Sequence, residues 1–93
     1  MNEKSVEQAL IKAVQERGGL ALKFVSPGLS GVPDRIVLMP GRRCAFMELK
    51  APGMHLRPLQ AKRKRTLEAL GFPVFLIDHP DQIGGVLDAI CAA

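Results

Sequence analysis

The sequence predicts a single α/β domain with the element order αβββαβα, on three observations. Apolar residues recur at helical spacing near both ends, short apolar runs suited to strands fill the middle, and Pro- or Gly-bearing stretches separate the successive elements. Ser5-Val6-Glu7-Gln8 fits a capping box with Ser5 as N-cap, and Val6, Leu10, Ala13, Val14 and Arg17 follow at helical spacing until Gly18-Gly19, which predicts a helix over 6–17. Leu20 to Val25 reads as a short first strand, ended by SPGLSGVP, whose turn formers continue neither element. Asp34 to Met39 and Cys44 to Lys50 are the second and third strands, and their near-continuous apolar content predicts burial on both faces. Ala51-Pro52-Gly53 then breaks the chain, Pro58 opens a second helix over 58–70, and Gly71 stops it. Phe72 to Ile77 is a fourth strand, with Pro73 at its start, where a missing donor does least harm. Ile83, Val86, Leu87 and Ile90 predict a last helix over 81–91, although Gly84-Gly85 costs about 1–2 kcal/mol of helix propensity. The helical link between strands three and four allows that pair to run parallel, giving a small mixed sheet flanked by helices.

Ninety-three residues hold one core, so residues 1–93 are read as one domain. No apolar run approaches the roughly 18 residues of a membrane span, which excludes an integral membrane protein. MNEKSVEQ lacks the pattern of a signal peptide, and two cysteines, Cys44 and Cys91, provide neither a disulfide framework nor a zinc site; a cytoplasmic protein is expected. The net charge of +4 is unevenly placed: residues 42–65 carry eight bases against the single acid Glu48, a net +7, and the remainder is net −3. Such a basic segment attracts phosphate backbones without reading sequence, and Arg57, Lys62, Arg63, Lys64 and Arg65 are its candidate contacts. A solvated helix face is the simpler account of KRKR taken alone.

The stretch PDRIVLMPGRRCAFMELK carries the chemistry. Opposed residues of an antiparallel hairpin share a face, so Asp34 meets Glu48 only if facing residue numbers sum to 82, which requires an odd-length loop around Gly41 or a compensating bulge. Lys50, two residues beyond Glu48, then joins them at one corner of the sheet. Two carboxylates there repel each other unless a divalent cation sits between them, and hard oxygen ligands favour Mg²⁺ or Mn²⁺. Lys50 is placed to contact a phosphate or help activate water.

Pro33-Asp34, thirteen residues, then Glu48-Leu49-Lys50 resembles the PD-(D/E)xK nuclease signature, and the whole chain resembles the stand-alone VRR-NUC branch of that superfamily. The likeness runs from Glu7 through SPGLSGVPD and ELKAPG to Gln60 and VFLID. It implies a restriction-endonuclease-like core in which Asp34, Glu48 and the Leu49 backbone carbonyl hold Mg²⁺ or Mn²⁺, Glu7 joins the metal site directly or through water, Lys50 positions the nucleophile and Gln60 orients the site. It further implies phosphodiester hydrolysis of structured DNA, with small members cutting four-way (Holliday) junctions as homodimers; a flap or general structure-specific nuclease stays open. Arg35 and His55 are further candidates for phosphate contact. Ile83, Val86 and Leu87 beside Gly84-Gly85 could serve either dimerisation or the core. The rival from another class is a non-catalytic DNA-binding module that keeps the basic helix and uses the acids structurally. Individually, Glu7 could simply complement the helix dipole, and Glu48 with Lys50 could be a same-face ion pair.

Overall fold

The computed structural model describes residues 2–93. Helix α1 (Glu3–Glu16) leads into strands β1 (Leu20–Lys23), β2 (Arg35–Met39) and β3 (Arg43–Leu49); helix α2 (Pro58–Ala69), strand β4 (Val74–Ile77), a 3₁₀ turn (Pro80–Gln82) and helix α3 (Ile83–Ala92) follow. The sheet order is β1-β2-β3-β4, antiparallel except for the parallel β3–β4 pair that the α2 crossover permits. No helix among the described residues is long and apolar enough to cross a membrane.

The first helix starts three residues earlier than the capping box predicts. Asn2 is the N-cap: its Oδ1 accepts hydrogen bonds from the Ser5 backbone N–H at 2.9 Å and the Ser5 hydroxyl at 3.0 Å. Ser5 thus lies inside the helix, and Glu3 falls in the first turn, where its charge complements the helix dipole.

One face of the sheet is sealed. Val6, Leu10 and Val14 of α1 and Ile83, Leu87 and Ile90 of α3 pack on Val37, Met39, Ala45, Met47, Leu49 and Ile77. Each such side chain, once fully buried, contributes roughly 1.5–3 kcal/mol from removal of apolar surface. Ile83 and Leu87 therefore fill the core and are unavailable to a second subunit.

The other face is only partly covered. No residue of α2 is buried, and that helix leans on the β4 side of the sheet. Central β3 is buried on both faces, as predicted, but β2 is not: Leu38, its neighbour across the ladder Leu20, and Leu22 are exposed on the open half. Phe24, Phe46 and Phe72 line up on this face with ring centroids 5.5 and 6.1 Å apart.

Candidate active site

The β2–β3 hairpin has the register that brings Asp34 to Glu48. Arg35 faces Met47, Ile36 faces Phe46 and Met39 faces Arg43, each pair summing to 82, around a three-residue loop at 40–42. Asp34 lies one residue before β2. Its backbone N–H donates to the Met47 carbonyl at 3.0 Å, and its Oδ2 accepts the Leu49 N–H at 2.8 Å. The carboxylate thus replaces the main-chain acceptor that a longer ladder would offer Leu49, which fixes Asp34 against the last turn of backbone before Lys50.

Glu48 is 3% exposed, the one buried charged residue among those described. Burial, then hydrogen-bonding contact with Asp34, then the Asp34 charge push its carboxyl up to about 8; Lys50 opposes the shift and Glu3 adds to it. Gln60, in the first turn of α2, supports Glu48 by donating from Nε2 to Oε1 at 3.1 Å. The amide oxygen of the same side chain accepts the Arg57 N–H at 2.8 Å, so Gln60 caps α2 and holds Glu48 together. Lys50 follows β3 with its backbone N–H on the Ile77 carbonyl at 3.0 Å.

A cleft of about 350 Å³ opens beside this corner, lined by Gly31, Val32, Asp34, Arg57, Leu59 and Gln60. Gly31 is required where it stands: its φ is +83°, and a Cβ there would meet Leu59 Cγ at 2.7 Å. The approach loop can close on α2 only without a side chain.

Other predicted residues stand elsewhere. The Glu7 carboxylate is taken by Arg35, whose Nε and Nη2 lie 3.4 and 3.3 Å away, while Nη1 donates to the Ala21 carbonyl at 3.2 Å. Arg35 faces Met47, on the side of the sheet that α1 covers, and its side chain is 15% exposed. The structure therefore pairs Glu7 with Arg35, and no hydrogen bond or ion pair among the described residues sets either against Asp34 or Glu48. Glu3, not Glu7, is the helix α1 acid whose charge acts on Glu48. Among the described residues no three His, Cys, Asp or Glu side chains gather as a metal cluster. The KRKR run is divided: Arg63 donates to the Ser30 carbonyl at 2.7 Å and Lys64 pairs with Glu68 at 2.9 Å, while Lys62 and Arg65 are exposed, without an ion-pair partner among the described residues. Arg57 is exposed at the cleft and His55 is exposed in the loop before it.

The sequence reading missed Glu3 and Asp78. Reading Asn2 as the cap would have found Glu3 in the first turn. Asp78 braces the loop after β3, its Oδ2 accepting the Gly53 N–H at 3.2 Å, and that bond followed by the one to Gln82 holds its carboxyl below the usual range.

No family model matches the chain. It is 42% identical over 90 residues to "Putative nuclease p44" of Acyrthosiphon pisum secondary endosymbiont phage 1, an alignment covering 97% of this chain and 96% of that protein. Among solved structures it resembles a VRR_NUC domain with a TM-score of 0.86 and 25% identity, over 92% of this chain and 94% of that one. With a relative this similar along its whole length and a sheet that superposes this closely, the chain belongs to the VRR-NUC family of nucleases.

Proposed function

We propose that this protein is a divalent-metal-dependent endonuclease, using Mg²⁺ or Mn²⁺, that cuts branched DNA as a homodimer. The observation that carries the reading is the contact between Asp34 and the buried Glu48, two carboxyl groups so close that Asp34 helps hold the proton on Glu48, an arrangement that a cation between them would relieve. The donor set fits a hard cation. Asp34 and Glu48 each spend one oxygen on a protein hydrogen bond, and Mg²⁺ ordinarily takes one or two carboxylates, with waters and substrate phosphate oxygens completing the octahedron. Asp34, Glu48 and the Leu49 carbonyl would hold it, and Glu3 would add negative potential to the site.

A divalent cation bound there supplies a water of lowered pKa and neutralises charge building on the phosphate. The chain's own groups do the rest. Gln60 fixes the orientation of Glu48, the Leu49 N–H fixes that of Asp34, and Lys50, whose charge opposes the shift of Glu48, would orient the attacking water and the phosphate oxygens. In the hydrolysis a water oxygen bonds to phosphorus as one phosphodiester P–O bond breaks, and the departing oxygen is protonated. Arg57, Lys62 and Arg65, exposed beside or beyond the cleft, supply the positive path for the DNA backbone, with His55 in the loop between.

The open half of the sheet supports self-association. Leu20, Leu22 and Leu38 remain 55%, 44% and 39% exposed on adjacent strands, an apolar patch that a second copy would cover, and paired subunits place two incisions across a two-fold axis. The test is incubation with matched linear duplex, flap, splayed and four-way-junction DNA, with and without Mg²⁺ or Mn²⁺. Metal-dependent cutting strongest on the four-way junction is expected; metal-independent binding without scission would make the protein a DNA-binding module, and equal cutting of all substrates would remove the branched specificity.

A further inference from the structure

Two hydrogen-bonded Pro-Gly turns stand on the approaches to the cleft, and hydrolysis uses neither. Ser26-Pro27-Gly28-Leu29 closes with the Leu29 N–H on the Ser26 carbonyl at 3.2 Å, and Ala51-Pro52-Gly53-Met54 closes with the Met54 N–H on the Ala51 carbonyl at 3.1 Å. Proline in second place presets the φ that such turns need; the +82° φ of Gly53 makes the second turn type II, whereas Gly28 has no positive φ and the first turn is of another type. Each turn then delivers a large apolar side chain at its fourth position into solvent: Leu29 is 45% exposed and Met54 57%. A solitary exposed apolar residue is ordinary. Here two occupy the fourth position of Pro-Gly turns, one two residues before the cleft-lining Gly31 and the other three residues before the cleft-lining Arg57.

Both turns are braced although their tips are not packed. Gly53 is tied to Asp78, and Asp78 to Gln82 Nε2 at 2.8 Å; Arg63 of α2 holds the Ser30 carbonyl just past Leu29. Neither backbone needs ordering on contact, so a ligand meets preformed apolar tips beside a basic path.

We propose that Leu29 and Met54 are a pair of apolar tips that pack against the unstacked bases of a DNA branch point and so select branched over continuous duplex. This rests on the branched-DNA reading above. In a continuous duplex base faces are covered by their neighbours, whereas at a branch the stack is already interrupted and an apolar side chain enters at least cost. Aliphatic tips suit this chain, which has no Trp or Tyr, and whose Phe24, Phe46 and Phe72 pack on one another while Phe75 packs on the core.

The experiment is fluorescence of 2-aminopurine placed at the centre of a four-way junction, titrated with protein in Ca²⁺, beside binding to the matched linear duplex. Wild type should raise the fluorescence on binding. The Leu29→Ser, Met54→Ser double variant should lose most of that rise and about tenfold of the junction-over-duplex preference, the order of burying one large aliphatic side chain, while its duplex affinity and melting temperature stay unchanged. Leu29→Met with Met54→Leu should restore both. A wild type that prefers the junction but leaves the probe dark, or a double variant that behaves as wild type, overturns the role of the tips alone. Equal wild-type affinity for junction and duplex overturns the branched-DNA reading beneath it.

Discussion

Ala45, Met47 and Leu49 point to one side of β3 and Phe46 and Glu48 to the other, yet the two sides have different surroundings. On the first, α1 and α3 close over the strand and Val6, Leu10 and Leu87 reach zero exposure. On the second, a helix with no buried residue leans across half the sheet, leaving Leu20, Leu22 and Leu38 in solvent and a buried carboxylate against a second one. The difference teaches where each kind of residue can be kept. The sealed face keeps charge only as the Arg35–Glu7 pair, because an uncompensated charge there costs several kcal/mol; the half-open face holds Glu48 with a hydrogen bond from Gln60 and the opposing charge of Lys50.

The sharpest way to break that comparison is to remove an acid from the open face. Asp34→Ala or Glu48→Ala should lower metal-dependent cleavage by about a thousandfold, a loss on the scale of a transition-state electrostatic contact, and leave DNA binding in Ca²⁺ within about twofold, because the basic path is elsewhere. A single-turnover cleavage assay beside a Ca²⁺ binding titration reads both, and either variant cutting at the wild-type rate removes the pair from the chemistry. Next in size is a matched pair of truncations. Leu10→Ala on the sealed face should cost about 2–5 kcal/mol through lost burial and a cavity, whereas Leu22→Ala on the open face should cost under about 1 kcal/mol in the dilute protein. Urea unfolding compares them, and equal losses would mean the second face is as closed as the first.

The half of the design that depends on backbone arithmetic was legible in the sequence. Side chains alternate strictly along a strand, so Asp34 and Glu48 could meet only with pairs summing to 82 and an odd loop or a bulge-compensated even one, and the structure has the 82 sum and a three-residue loop. Element order and the parallel β3–β4 pair followed from punctuation and crossover length for the same reason. What failed depended on choices between near-equivalent side chains. Asn2 and Ser5 are both good caps, and selecting Ser5 moved the predicted helix start by three residues. Apolar content alone could not tell β3, buried on both faces, from β2, buried on one, since that depends on how far α2 reaches. Nor could it show that Arg63 is spent holding a loop and Lys64 on Glu68, leaving Lys62 and Arg65 to the solvent.

The last comparison tests whether Glu48 carries the strain of the open face. In the unfolded chain this carboxyl titrates near 4.5; in the metal-free fold, burial and Asp34 move it to about 8. Below pH 4.5 both states hold the proton and the group favours neither. Between about 4.5 and 8 the unfolded chain gives up a proton that the fold retains, so raising pH favours unfolding across that window, and above about 8 the full cost is present. Glu48→Gln keeps the shape and removes the charge. Measured in EDTA, its melting temperature should match wild type at pH 4 and exceed it increasingly toward pH 8.5. Ca²⁺ at pH 8.5 should raise the melting temperature of wild type more than that of the variant, since only wild type offers it both carboxylates. Parallel melting curves across the pH range would show that Glu48 is already compensated by the protein itself, and the open face would then differ from the sealed one in coverage but not in charge.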